Sequence, residues 1–156
     1  MPVKAVPEGY HAITPYLICG DAAGAIDYYK KVFGATEMFR HAAPGGKVGH
    51  AEIKIGDSVV MLADEHAEVQ ALSPATVGGT PVGLMLYVED VDAVFKKALA
   101  SGAREVQPLE DKFYGDRGGT LLDPFGHMWM VATHKEDVSP EEMERRAKAA
   151  GQGQGS

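Results

Sequence analysis

The chain has 156 residues, 45% of them apolar and 24% charged, with a formal charge of −7 at pH 7. That length suits one domain or two small intimate modules with a real core, and the acidic balance argues against nucleic acid or an anionic membrane as the main partner. A single cysteine, Cys19, excludes a disulfide framework and a Cys-based metal site. No run reaches the ~18 apolar residues of a membrane span, and the first residues lack a signal peptide's apolar core, so a reducing, cytoplasmic setting is expected.

Residues 1–11, with Pro2, Pro7 and Gly9, form an irregular lead-in. Ala12 to Cys19 is rich in β-formers and predicts a strand, with Pro15 pointing to an edge or a bulge. Asp21 then opens a helix that buries Ile26, Tyr29 and Phe33 and stops at Gly34-Ala35. Thr36 to Ala42, Gly49 to Ile55 and Ser58 to Ala63 read as strands, the last two joined by Gly56-Asp57. Residues 67–81 are turn-rich and aperiodic, a linker. Val82 to Val88 is a strand, and Asp90 opens a second helix over Val91 to Ser101, closed by Gly102-Ala103. Arg104 to Leu109 follows. Asp123-Pro124-Phe125-Gly126 then makes a tight turn between Tyr114–Leu122 and His127–Thr133, a β-hairpin. Ser139-Pro140-Glu141-Glu142 is a capping box that starts a short surface helix, and Gly151 to Ser156 reads as a disordered tail.

The two halves repeat each other. An offset of 69 residues places Asp21 on Asp90 and Met61-Leu62-Ala63 on Met130-Val131-Ala132. Such a period is too long for a solenoid and fits a duplicated β-α-β-β-β unit. The expected organisation is a first module over 12–66, the linker 67–81, a second module over 82–134, and a C-terminal helix and tail over 135–156. The fold class is α+β.

Asp21 with Tyr28-Tyr29-Lys30-Lys31-Val32-Phe33-Gly34-Ala35, Val88-Glu89-Asp90-Val91-Asp92-Ala93 and Asp123-Pro124-Phe125-Gly126-His127 together resemble the vicinal-oxygen-chelate superfamily of glyoxalases, bleomycin-resistance proteins and dioxygenases. The His50–Ser58 stretch and Tyr114-Gly115-Asp116-Arg117 resemble its PhnB-like branch. The resemblance implies two βαβββ modules whose curved mixed sheet surrounds a cavity, and a homodimer. It also places metal ligands, where members use a metal, at the start of each module's first strand and within its last. Those positions hold Thr14, Met61, Gly83 and Met130, none a His or a carboxylate, so no metal and no other cofactor is expected.

Alternation puts Thr14, Tyr16, Val59, Met85, Tyr87 and Met128 on the faces of Met61 and Met130. Methionine is a soft, adaptable wall for an apolar or aromatic ligand, although the same residues suit an ordinary core. Tyr16, Met61, Met85, Tyr87, Met128 and Met130 are therefore ligand-binding candidates. If Ile55 opposes Ser58, Glu52 lies opposite Met61 with His50 two residues along; the pair could be a general base with its orienter or a displaced metal pair, or a hydrogen-bonded sheet histidine beside a salt-bridged face. Counting through the Asp123–Gly126 turn sets Arg117 opposite Ala132, where its fork could take a carboxylate or phosphonate, or an ion pair with Asp116 or Glu110. Asp64-Glu65-His66 reads as a solvated strand end, and Cys19 as a small core hydrophobe. The function these features favour is binding of a small, partly apolar organic molecule, as in sequestration or resistance. The other reading is a metal-dependent glyoxalase- or dioxygenase-type enzyme with non-standard ligands.

Overall fold

The computed structural model describes residues 2–154 and contains two compact units. Unit one comprises Met1–Val82 and Asp123–His127; unit two comprises Gly83–Leu122 and Met128–Ser156.

Unit one holds β1 (Tyr16–Cys19), α1 (Ala22–Phe33), β2 (Thr36–Ala43), β3 (Lys47–Ile55), β4 (Ser58–Asp64) and a one-turn helix α2 (Pro74–Val77). Its strands form a sheet of order β1-β4-β3-β2, with β1 parallel to β4 and the other pairs antiparallel. The first strand is shorter than its composition predicts. Pro15 has no N–H for the ladder, and only its carbonyl joins, accepting from Met61 N at 2.9 Å. Helix α1 begins where Asp21 accepts from Gly24 N and ends at Gly34, whose φ of 69° is the left-handed stop that glycine tolerates. One face of the sheet carries Leu17, Cys19, Ala51, Ile53, Ile55, Val60 and Leu62, all buried with Ile26 and Tyr29 of α1. On the other face stand His50, Glu52, Met61 and Tyr16.

Two sequence expectations change here. Asp64 does not end its strand in solvent: its oxygens accept from Ala22 N at 2.8 Å and Val48 N at 2.7 Å. The carboxylate thus clamps the start of α1 to β3, because the first N–H groups of a helix have no partner within it. The 67–81 segment is not wholly irregular. A 3-10 turn spans Ala67–Val69, and Ser73 caps α2 with Pro74 at its first position. Glu65 binds Ser73 N at 2.6 Å and holds that turn down.

The Asp123–His127 loop belongs to unit one. Asp123 is buried, accepting from Phe125 N and His127 N with Oδ1 and from the Tyr29 hydroxyl with Oδ2 at 2.5 Å. His127 Nε2 meets the Ile18 carbonyl at 2.9 Å. Cys19 is fully buried nearby, and burial, with the charges of Asp123, Asp64 and Asp21, pushes its thiol up to about 12. It is an inert core thiol.

Unit two repeats the plan with β5 (Gly83–Tyr87), α3 (Val91–Ala100), β6 (Arg104–Asp111), β7 (Asp116–Leu122) and β8 (Met128–His134), in sheet order β5-β8-β7-β6. Asp90 caps α3 through Ala93 N. Phe95 of α3 lies against β7 at Gly119, where a Cβ would come within 2.9 Å of its ring. Helix α4 (Pro140–Gln154) starts at Ser139, whose hydroxyl accepts from Glu142 N. It runs into the segment expected to be a disordered tail and takes in Gly151–Gln154, since adding residues to an existing helix costs no new nucleus. The rest of the predicted tail, Gly155-Ser156, lies outside the described residues. Among the described residues no helix is long and apolar enough to cross a membrane.

Candidate functional site

Strand register gathers the unit-one candidates. Glu52 pairs with Met61 across β3–β4, Met61 pairs with Tyr16 across β4–β1, and Glu52 pairs with Phe39 across β3–β2. One row therefore crosses the open face of the sheet: Phe39, Glu52, Met61, Tyr16. His50, two residues from Glu52, shares that face.

These side chains bind one another. The Tyr16 hydroxyl lies 2.8 Å from His50 Nδ1, and His50 Nε2 lies 2.8 Å from Glu52 Oε2. The Tyr10 hydroxyl donates to Glu52 Oε1. One neutral imidazole tautomer satisfies the chain: the Tyr16 O–H donates to Nδ1 and Nε2–H donates to the carboxylate. The Tyr16 and Phe39 rings flank the imidazole at centroid distances of 5.4 and 6.2 Å, fixing its plane. The Tyr10 hydroxyl, then the His50 ring, holds the Glu52 carboxyl below its ordinary value. Burial and the Glu52 charge raise the Tyr16 phenol, and the Glu52 bond raises that of Tyr10.

Above this network is an open cleft of about 390 Å³, lined by Ala5, Val6, Pro7, Tyr10, His11, Ala12, Thr14, Glu52 and Met61. Most of its wall comes from the lead-in, which is turned back by a Tyr10 N to Pro7 O bond of 3.1 Å. Tyr10 and Phe39 are the site residues that sequence reasoning missed. Pro7 and Gly9 did signal a turn before Tyr10, but no periodicity ties a residue of an irregular segment to a strand 42 positions away.

Unit two distributes its candidates differently. Met85 pairs with Met130, and Gly83 pairs with Met128. Thr120, opposite Met130, stands where unit one has Glu52. Tyr87 donates to Asp116 Oδ2 at 2.8 Å, which raises its phenol.

Arg117 requires a correction. It pairs with Thr133, not Ala132, which is opposite Gly118. A slip of one residue turns a side chain to the other face, and Arg117 accordingly meets α3, with Nε and Nη2 each 2.9 Å from the Asp92 carboxylate and Nη1 3.4 Å from Asp111. The Asp92 bonds raise its pKa further. The anticipated partners Asp116 and Glu110 are engaged elsewhere, Asp116 with Tyr87 and His134 and Glu110 with Lys112. The slip comes from the loop, which has five residues rather than four. Leu122 pairs with Met128, and Asp123 N binds His127 O at 2.8 Å, drawing His127 into the turn.

The family model of the glyoxalase/bleomycin resistance protein/dioxygenase superfamily matches residues 10–131. A Mycobacterium bovis protein, Mb0911c, is 41% identical over 145 residues, covering 91% of this chain and 95% of that protein. Among solved structures, TioX from Micromonospora sp. ML1 is 32% identical with a TM-score of 0.63, covering 80% of this chain and 98% of its own. The PhnB protein from Bacillus cereus shares the fold at 21% identity and a TM-score of 0.62, over 79% and 99% of the two chains. The chain belongs to the glyoxalase/bleomycin resistance protein/dioxygenase superfamily.

Proposed function

We propose that this protein binds a small, partly apolar organic molecule in the unit-one cleft, and that its task is binding, as in sequestration or resistance, rather than turnover. The observation that carries the reading is Glu52: an ionised carboxylate, 15% exposed, on the floor of a cleft whose wall includes Val6, Pro7, Tyr10 and Met61, with His11 and Thr14 as further polar groups. A volume of about 390 Å³ falls in the range of small-molecule sites, which are mostly apolar with a few placed polar groups. The lowered Glu52 pKa favours binding over proton abstraction, since an efficient general base has its pKa near the working pH.

The metal-dependent alternative meets a donor set that does not fit. Of the two unit-one positions where the family places ligands, Thr14 offers a hydroxyl and Met61 a thioether. In unit two, Met130 is a thioether and Gly83 has no donor, the space beside it being taken by the Met130 methyl, 2.9 Å from where a Cβ would stand. Hard divalent cations prefer carboxylate, carbonyl and imidazole donors. His50 already uses both ring nitrogens.

Methionine-methyl NMR of the labelled protein tests the reading against a set of aromatic and aliphatic fragments. The Met61 signal is expected to move on binding; movement of Met128 and Met130 with Met61 still would refute the unit-one site. Elemental analysis of the purified protein is expected to give far less than one equivalent of Zn, Ni, Mn or Fe, and one tightly held equivalent would overturn the metal-free reading.

A further inference from the structure

We propose that the unit-one cleft takes an organic cation, an ammonium or amidinium on a small apolar body, whose N–H groups bind Glu52 in place of the Tyr10 hydroxyl. This rests on the reading of the cleft as a binding site.

The class of ligand follows from what Glu52 has and lacks. An ionised carboxylate only accepts hydrogen bonds and has about four lone-pair sites. Two are used, one by Tyr10 and one by His50. Among the described residues no lysine or arginine forms an ion pair with it, although Glu37, Glu110, Glu136 and Glu142 all have such partners. Among the described residues the His50 imidazole is its ion-pair partner, so no permanently charged cation balances the anion in the cleft, in a chain of charge −7. An anionic ligand would be repelled, and a neutral hydroxyl would form only the weaker kind of hydrogen bond, since bonds between two charged partners are roughly twice as strong as neutral ones. The Tyr10 ring and the Met61 thioether add a surface that suits the apolar body, and an aromatic face attracts a cation.

The two donors now on Glu52 are not equally replaceable. His50 is held by the Tyr16 hydroxyl and flanked by two rings on the sheet. Tyr10 sits on a lead-in whose neighbours Pro7, Gly9 and His11 are exposed. Tyr10 is therefore the placeholder: its hydroxyl satisfies Glu52 in the free protein and gives way to a better donor.

Calorimetric titration of the full chain near neutral pH with benzylamine, benzyl alcohol and benzoate separates the classes. Benzylammonium is expected to bind at least about tenfold tighter than benzyl alcohol, the scale of one charged hydrogen bond, with benzoate weakest. Glu52→Gln is expected to bring benzylammonium down to the level of the alcohol, and Tyr10→Phe to tighten it about threefold by leaving Glu52 unsatisfied. Equal binding of ammonium and alcohol, tighter binding of benzoate, or an indifferent Glu52→Gln overturns the cation assignment and leaves the cleft intact as a binding site. Unchanged or weaker binding by Tyr10→Phe overturns the placeholder role. If none of the three probes binds and the Met61 methyl signal stays still, the cleft reading itself fails and takes this one with it. Should Glu52→Gln fail to fold, salt decides on the wild-type chain: added salt is expected to weaken benzylammonium but not benzyl alcohol, and an equal response overturns the assignment.

Discussion

The two units share a skeleton and differ on one face. The 69-residue offset that aligns Asp21 with Asp90 also aligns Asp64 with Thr133. Both of these accept the N–H of the first residue of their helix, Asp64 from Ala22 at 2.8 Å and Thr133 from Val91 at 2.9 Å. The row across the open face has not been kept. Phe39, Glu52, Met61 and Tyr16 in unit one become Gln107, Thr120, Met130 and Met85 in unit two. What must hold a helix to a sheet repeats, because the unpaired N–H groups at a helix start are the same in both copies. What faces away from the helix is free to diverge, and unit one alone has a carboxylate in mid-row.

The shared skeleton can be broken first. Asp64→Ala is expected to cost about 3 kcal/mol, because it strands Ala22 N in the core and frees Val48 N as well. Thr133→Val should cost less, about 1–2 kcal/mol, since its neutral hydroxyl makes the weaker kind of bond, accepting from Val91 N and donating to the Val88 carbonyl. Urea unfolding of both variants measures the difference. A Thr133→Val cost equal to or above that of Asp64→Ala would show that the two caps are not equivalents differing in charge.

Exchanging the divergent row is the next test. Thr120→Glu writes the unit-one carboxylate into unit two, at a buried position beside Met130 with Gln107 as its polar neighbour. Nothing there matches the Tyr10 and His50 donors. The new carboxyl should titrate above the ordinary glutamate range, and the protein should lose about 2 kcal/mol at neutral pH. The reverse exchange, Glu52→Thr, should leave stability within about 1 kcal/mol, because a part-exposed carboxylate in a cleft does little for folding. Carboxyl NMR and denaturation together read both. A Thr120→Glu protein as stable as wild type, with a normally titrating carboxyl, would mean that the unit-two face accepts a charge as readily as unit one.

The helices and most strands were legible because their ends carry local chemistry, as with Asp21 and Gly34 around α1, and because the repeat vouches for each element twice. The Glu52–Met61 pairing was legible too: Ile55 and Ser58 close on a two-residue turn, so counting outward keeps register. The same counting failed at Arg117, because Asp123 draws His127 into its loop through bonds that spacing does not reveal. Asp64 was misread for a related reason, since its partners Ala22 and Val48 lie 42 and 16 positions away. The half of the site that the lead-in supplies, Tyr10 above all, depends on how an irregular segment folds back, which no periodicity encodes.

The smallest expected effect separates the polar networks of the two units by pH. In unit one a carboxylate faces a cleft. In unit two the Tyr87–Asp116–His134 chain is built on a buried carboxylate, 4% exposed, with His134 Nδ1 2.7 Å from Asp116 and Nε2 2.8 Å from Asp137. Asp116, then Asp137, raises the His134 pKa above its ordinary 6.5. A raised folded pKa contributes stability that is complete below the ordinary value and is lost as pH rises through the folded one. The advantage of wild type over His134→Gln in melting temperature should therefore be largest below the ordinary 6.5 and shrink as pH rises above it. Glu52 acts in the other direction: its depressed pKa contributes stability present above its ordinary 4.5 and lost as pH falls through the folded value. Glu52→Gln should flatten the acid arm of the profile and keep its deficit at neutral pH, and His134→Gln should flatten the neutral-to-alkaline arm and keep its deficit at acid pH. Half of His134 is exposed, so solvent screening keeps its share small and the comparison rests on the direction of the change. A His134→Gln difference that stays constant from acid to alkaline pH would show that the imidazole is held by geometry alone, and that unit two carries no charge-dependent network to set against the one in unit one.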